Sequence, residues 1–274
     1  MLAKAPLSFR SDHCRKDCRV SALTHHPLLL LLVSFAVLCL SAWIGAAGFK
    51  RLRSQAASLH EDFAVVQGAT LTLLGLIIGF TFSMALTRYD QRKDYEEQEA
   101  NAIGTEYVRA DLLPEADAAK VRALLLSYVE QRIAFYTTRD EQELDEIDVR
   151  TAKLQKALWS AVQTPASAQP TPVMALVVAG MNDVLNSQGY TQAAWLNTIP
   201  AGAWSLMGAI AICATMLLGV GARDGRASRG FLVVLPLVLS IAFFLIADID
   251  SPRRGVIHVV PLNLNSLAKS LRAQ

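Results

Sequence analysis

Residues 65–87, VVQGATLTLLGLIIGFTFSMALT, form one of the four long apolar segments that decide the fold of this chain. The other three are residues 27–48, 203–220 and 230–247, and none of the four carries a Lys, Arg, Asp or Glu. A helix needs about 20 apolar residues to cross a hydrocarbon core of about 30 Å. The sequence therefore predicts an all-α integral membrane protein whose four transmembrane helices come in two pairs.

The composition agrees with this fold class and suggests how the chain is divided. Hydrophobic residues make up 53% of the sequence and charged residues 18%, with a mean hydropathy of +0.32, and a soluble domain has about 45–50% apolar residues. The sequence predicts five parts: a basic N-terminal tail (1–26), a first helix pair (27–87), a soluble helical domain (88–202), a second helix pair (203–247) and a C-terminal tail (248–274).

The soluble domain shows helical periodicity in two places. Apolar residues recur at intervals of three and four from Val121 to Tyr136, and again from Leu144 to Val162, which is typical of helices packed on one side. Residues 164–172, TPASAQPTP, contain three prolines and are predicted to be a linker. A short helix is expected to follow, and its apolar stretch, Val173 to Val178, gives way to Asn182 and Asp183 too soon to span a bilayer.

The charge distribution bears on partners and topology. A net charge of +2 without a basic stripe gives no indication of nucleic-acid binding. Lys and Arg residues near the helix ends favour cytoplasmic N- and C-termini, although this bias nearly disappears if the basic tail is not translated. We therefore expect the soluble domain in the cytoplasm.

No catalytic motif is present, and the acidic pair after the fourth apolar segment is the best candidate for an enzyme site. Asp248 and Asp250 are separated by one residue, so on a regular helix they point about 200° apart. We expect them to form interface ion pairs with Arg253, Arg254 or a basic residue of another helix. Cys14 and Cys18 lie in the basic tail at a spacing that is a weak metal signal. The sequence predicts no enzyme, cofactor or metal site.

The second apolar segment has a regular pattern of small residues. Gly68, Thr72, Gly75, Gly79 and Ser83 recur at three- and four-residue intervals, which allows close helix contact. One interpretation is a packing seam within the bundle.

The other interpretation is a pore-lining helix in a symmetric oligomer. Thr72, Leu76 and Phe80 would then form a narrow apolar constriction that gates by dewetting. Arg88, just past the segment, would be an anion-attracting ring in such a pore, although an interface anchor is the commoner role.

Two motifs resemble known families. Gly79-Phe80, followed at the same spacing by Arg88-Tyr89, resembles the second membrane helix of bestrophins, where Gly-Phe leads to Arg-Trp. The stretch 68–271 is similar to a bacterial family called bestrophin-like; the similarity includes EANAIGT (99–105), RADLL (109–113) and ADIDSPR (247–253).

The resemblance to bestrophins implies a channel. It implies four membrane helices, cytoplasmic termini and soluble domain, a pentamer in the lipid bilayer of the bacterial inner membrane, and a path for small anions along the second helix. The apolar neck would fall on Thr72, Leu76 and Phe80. Two other hypotheses stay open: a membrane-anchored helical scaffold or sensor without transport activity, and a membrane enzyme that uses Asp248 and Asp250.

Overall fold

A computed structural model describes residues 26–48, 60–221 and 226–273, and these residues form eight α-helices and one 3₁₀ turn. The helices are α1 (Pro27–Gly48), α2 (His60–Arg109), α3 (Glu115–Thr137), α4 (Glu141–Ala168), α5 (Pro172–Leu196), α6 (Ala201–Gly221), α7 (Arg226–Asp250) and α8 (Leu262–Arg272), with the 3₁₀ turn at Ala110–Leu112. No strand occurs in these ranges. The predicted basic tail, with Cys14 and Cys18, lies outside the described residues except for His26.

Four segments are long and apolar enough to cross a membrane, as the sequence predicts: Pro27–Ala47, Ala64–Leu112, Pro172–Gly221 and Leu232–Asp250. Two of these are about twice the needed length. Helix α2 has 50 residues, so it is about 75 Å long, whereas a hydrocarbon core is about 30 Å thick. Its charge-free part ends at Thr87, because Arg88 and a series of charged residues follow.

The described residues divide into two compact units, and the first contains the apolar helices. Its described residues are 26–48, 60–85, 199–221 and 226–256. Helix α1 packs against both α6 and α7. The α1–α6 contact is close because Gly45 and Gly219 are both buried in it. Ser41 Oγ donates a hydrogen bond of 2.9 Å to the carbonyl oxygen of Ile212 across the same contact.

The second unit, Leu86–Thr198 with residues 257–273, is built around the charged part of α2 and helices α3, α4, α5 and α8. Its core includes an aromatic group in which Phe135, Tyr136 and Trp195 have ring centroids 5.1–5.6 Å apart. Helix α8 buries Leu264 and Leu271 and is part of the same core. The predicted apolar faces of the central helices are confirmed as core positions, for example at Leu125 and Leu158.

Two sequence predictions in this unit are wrong. Residues 164–172 are not one linker, because α4 continues through Pro165 to Ala168. Pro165 is buried, so packing keeps the helix going despite the missing backbone N–H. The helix that follows is not short either, since α5 runs from Pro172 to Leu196. Its polar residues Asn182 and Asp183 point to the exposed side, and they therefore do not end it.

Candidate functional site

The apolar part of α2 has one buried face and one exposed face. Leu74, Thr81 and Ala85 are 1%, 5% and 0% exposed. Leu76 is 55% exposed and Phe80 66%. With 3.6 residues per turn, Leu76 points about 160° and Phe80 about 120° away from Leu74. The predicted positions therefore lie on the side of α2 that turns away from its own unit.

The glycines of α2 also lie on the exposed side. A Cβ atom built on Gly68, Gly75 or Gly79 would meet no described atom within 4 Å beyond its own helical turn. A packing seam within the bundle, one of the two interpretations of these small residues, is therefore not seen among the described residues at these glycines. Within the described apolar helices of this unit, Gly45 of α1 and Gly219 of α6 are closely packed instead, and sequence analysis did not single them out.

The Thr72 hydroxyl group on this side of α2 bonds to the helix itself. Thr72 Oγ1 donates a hydrogen bond of 2.9 Å to the carbonyl oxygen of Gly68. The hydroxyl hydrogen of Thr72 is thus used within the helix. The exposed face at Thr72, Leu76 and Phe80 is consequently mostly apolar, even though its first residue is polar.

Arg88 does not share this face. It is half-buried, and helical geometry places it about 40° from Leu74 but about 160° from Thr72. The i, i+4 series from Thr72 through Leu76 and Phe80 turns about 40° at each step. Arg88 is four such steps after Thr72, so the total rotation is about 160°. Arg88 therefore lies on the side of the helix that carries Leu74 and not on the side of Thr72.

Beyond Thr87, the buried side of α2 carries charged residues. Arg92, Glu96 and Glu99 are each at most 1% exposed. Arg92 Nε donates to the carbonyl oxygen of Ala194, at the end of α5. Glu96 accepts hydrogen bonds from the backbone N–H of Leu264 at 2.9 Å and from the Asn263 side chain at 2.7 Å. These residues thus connect α2 to the end of α5 and to the start of α8.

Glu99 connects α2 to α3 and α5. It forms a fully buried ion pair with Arg132, and it accepts hydrogen bonds from Tyr136 Oη at 3.4 Å and Thr191 Oγ1 at 3.2 Å. Burial is the main cause that raises the pKa of Tyr136 above its ordinary range, followed by the nearby Glu99 charge. Sequence analysis missed these charged residues, although their spacing of three and four was visible.

The acidic pair at the end of α7 binds backbone groups. Asp250 Oδ2 accepts a hydrogen bond of 2.9 Å from the N–H of Ile199, and Asp248 Oδ1 accepts one of 2.7 Å from the N–H of Val256. Arg253 is half-buried and Arg254 exposed; Arg254 Nη1 lies 2.9 Å from His26 Nε2. Asp250 thus fixes the chain before α6, and Asp248 fixes the turn after α7.

Among the described residues, no group of three or more His, Cys, Asp or Glu side chains could hold a metal ion. Charged residues with defined partners include the buried charges of α2 that bond to α3, α5 and α8, and the acidic pair of α7, which bonds to two backbone N–H groups. Thr72, Leu76 and Phe80 have in common only that they lie on the exposed side of α2.

Comparison with known proteins identifies the family. Residues 31–264 match the family model of the Bestrophin-like domain. The fold is similar to a crystal structure of a bacterial bestrophin homolog from Klebsiella pneumoniae, with a TM-score of 0.61 and 13% identity over 89% of this chain and 95% of the other. A point-mutated form of that homolog gives a TM-score of 0.63 with 12% identity over 90% and 95% of the two chains. No curated protein matches significantly. At identities this low, the similarity to the solved structures shows a shared fold. The family model covers most of the sequence. The chain therefore belongs to the bestrophin-like family of integral membrane proteins.

Proposed function

We propose that this protein is a homo-oligomeric anion channel in which α2 lines the pore. The observation that carries the proposal is the exposed face of α2. This face combines Leu76 and Phe80 with glycines that contact no other described helix. Exposed apolar side chains in a membrane segment must meet lipid, a neighbouring subunit or a pore.

The pore of this proposal requires several copies of the chain. A lone bundle of four helices has no room for an aqueous path, whereas copies around an axis can each place one helix at a central lumen. We propose a pentamer, the assembly that the resemblance to bestrophins implies. The small residues Gly75 and Gly79 would allow neighbouring copies of α2 to approach closely at that axis.

The proposed gate is apolar. Leu76 and Phe80 would form rings that exclude water when they are close together, and a small displacement would rehydrate the constriction. The Thr72 methyl group would complete this constriction, because the Thr72 hydroxyl hydrogen is bonded within α2. Arg88 fits an anchor at the end of the membrane segment better than a pore ring, since it lies on the other side of the helix.

The proposed topology follows from charge. We place both termini and residues 88–202 in the cytoplasm and the apolar helices in the bacterial inner membrane, in line with the bias of Lys and Arg. Asp248, Asp250, Arg253 and Arg254 then lie near the cytoplasmic interface, where charged groups remain hydrated or paired.

The proposal is tested by chloride flux from liposomes that contain the purified protein. Phe80→Ala should raise the flux, because the apolar constriction becomes wider. Phe82→Ala is the matched control: Phe82 is also exposed, at 40%, but lies about 120° around the helix from Leu76. The flux through Phe82→Ala should equal that of the wild type. Light scattering measures the oligomeric state of each sample.

Two outcomes would overturn the proposal. The first is the absence of flux in a folded oligomer under several ionic conditions, which would favour a membrane-anchored scaffold or sensor. The second is equal flux changes in Phe80→Ala and Phe82→Ala, which would indicate that the side chains act through general packing.

A further inference from the structure

Glu106 differs from the other buried carboxylates of α2. Its side chain is 0% exposed, like that of Glu99. Glu96 and Glu99 accept hydrogen bonds from Leu264, Tyr136 and other groups. Neither carboxyl oxygen of Glu106 has a hydrogen-bond partner among the described residues. A buried carboxylate without hydrogen bonds is costly in its charged form.

The surroundings of Glu106 are close-packed against α5. A Cβ atom on Gly180 would lie 2.1 Å from Glu106 Oε2 and 2.3 Å from Arg109 Nη1. The carboxyl group and the guanidinium group therefore both lie against the α5 backbone at Gly180, and a side chain at this position would displace them. Arg109 Nη1 also donates a long hydrogen bond of 3.4 Å to the carbonyl oxygen of Leu176.

Charges of both signs lie near Glu106 and affect its pKa. Burial is the main effect and raises the pKa of Glu106 from its ordinary value of 4.5 to about 8. The nearby Arg109 on the same helix opposes this shift, and Asp183 on α5 adds to it. The geometry points the same way, because a carboxyl group that accepts no hydrogen bond gains little from being ionised.

We propose that Glu106 is a proton-binding site and that its neutral form keeps α2 packed against α5 at Gly180, so that α2 and α5 separate more readily as the pH rises. The direction of this pH dependence follows from the linkage between proton binding and the packing of α2 against α5. Closed packing keeps the proton up to about pH 8, whereas an opened, hydrated Glu106 loses it near pH 4.5. Opening therefore releases a proton, and its equilibrium constant rises between these two pH values.

The test is hydrogen–deuterium exchange on the full-length protein in detergent, from about pH 6 to about pH 9. Comparing variants at equal pH removes the intrinsic pH dependence of exchange. In segments 103–109 and 176–184, the ratio of wild-type to Glu106→Gln exchange rates should rise about tenfold or more over this range. Glu97→Gln, an exposed carboxylate of the same helix, should behave like the wild type. A constant ratio for Glu106→Gln would overturn the proposal.

A second measurement covers the case in which Glu106→Gln does not fold. The infrared spectrum of the wild-type protein should show a neutral carboxylic acid band at about pH 7 that disappears with a midpoint near 8. The absence of this band at about pH 7 would contradict the proposal.

Discussion

Two sets of glycines in the membrane helices have opposite surroundings. In the contact between α1 and α6, a Cβ on Gly219 would lie 2.1 Å from the carbonyl oxygen of Ala42, and one on Gly45 would lie 2.2 Å from that of Met216. On α2, a Cβ on Gly75 or Gly79 would meet no described atom of another helix within 4 Å. The two sets look alike in sequence, since each lies among apolar residues.

The difference shows what a glycine can do in a membrane helix. At Gly45 and Gly219 it allows two backbones of one subunit to approach, and no side chain would fit there. On α2 it leaves a smooth surface that nothing in the described chain covers. We interpret the first set as the closed contact of the subunit and the second as the surface of the proposed pore and oligomer.

The largest expected effect is a methyl group in the closed contact. Gly219→Ala should lower the free energy of unfolding by about 1–3 kcal/mol, because the new Cβ meets a backbone oxygen and the helices must separate. The measurement is an unfolding titration in detergent. Gly208→Ala on the same helix is the control, since a Cβ built on Gly208 would meet no described atom within 4 Å, and it should not destabilise the protein. Equal losses in both variants would contradict the closed contact.

The same substitution on α2 should have a smaller effect of opposite sign. Gly75→Ala should raise the unfolding free energy of the dissociated subunit by about 0.5–1 kcal/mol, because alanine loses less conformational freedom than glycine in a helix. The same titration, carried out at a dilution that dissociates oligomers, measures it. A loss as large as that of Gly219→Ala would show that the surface is packed within the subunit.

The membrane helices could be predicted from sequence because charge-free segments of spanning length have few alternatives. The helix against which each one packs could not be predicted. Gly45 and Gly79 both lie among apolar residues, and only the fold decides which of the two is covered. The buried charges of α2 were missed for a related reason. Glu99 is stabilised in the interior by Arg132, which is far away in sequence but lies beside it in the fold.

The helix limits in the second unit show a further limit of local rules. Proline predicts a break at Pro165, but the surrounding core holds the ring inside α4. The polar residues Asn182 and Asp183 suggest that the helix is short, but α5 continues through them because they lie on its exposed side. Pore-lining residues depend on neighbouring copies, so Leu76 and Phe80 remain predictions.

The most direct test of the proposed pore is the water accessibility of Leu76. Leu76→Cys is compared with Val238→Cys of α7 in a background without native cysteines, because the two positions are 55% and 56% exposed on the subunit. A membrane-impermeant thiol reagent is applied to the oligomer in liposomes. We predict that Leu76→Cys reacts and Val238→Cys does not, because only Leu76 faces the pore. Equal reactivity, or none at Leu76→Cys, would contradict the central claim that this face of α2 lines an aqueous path.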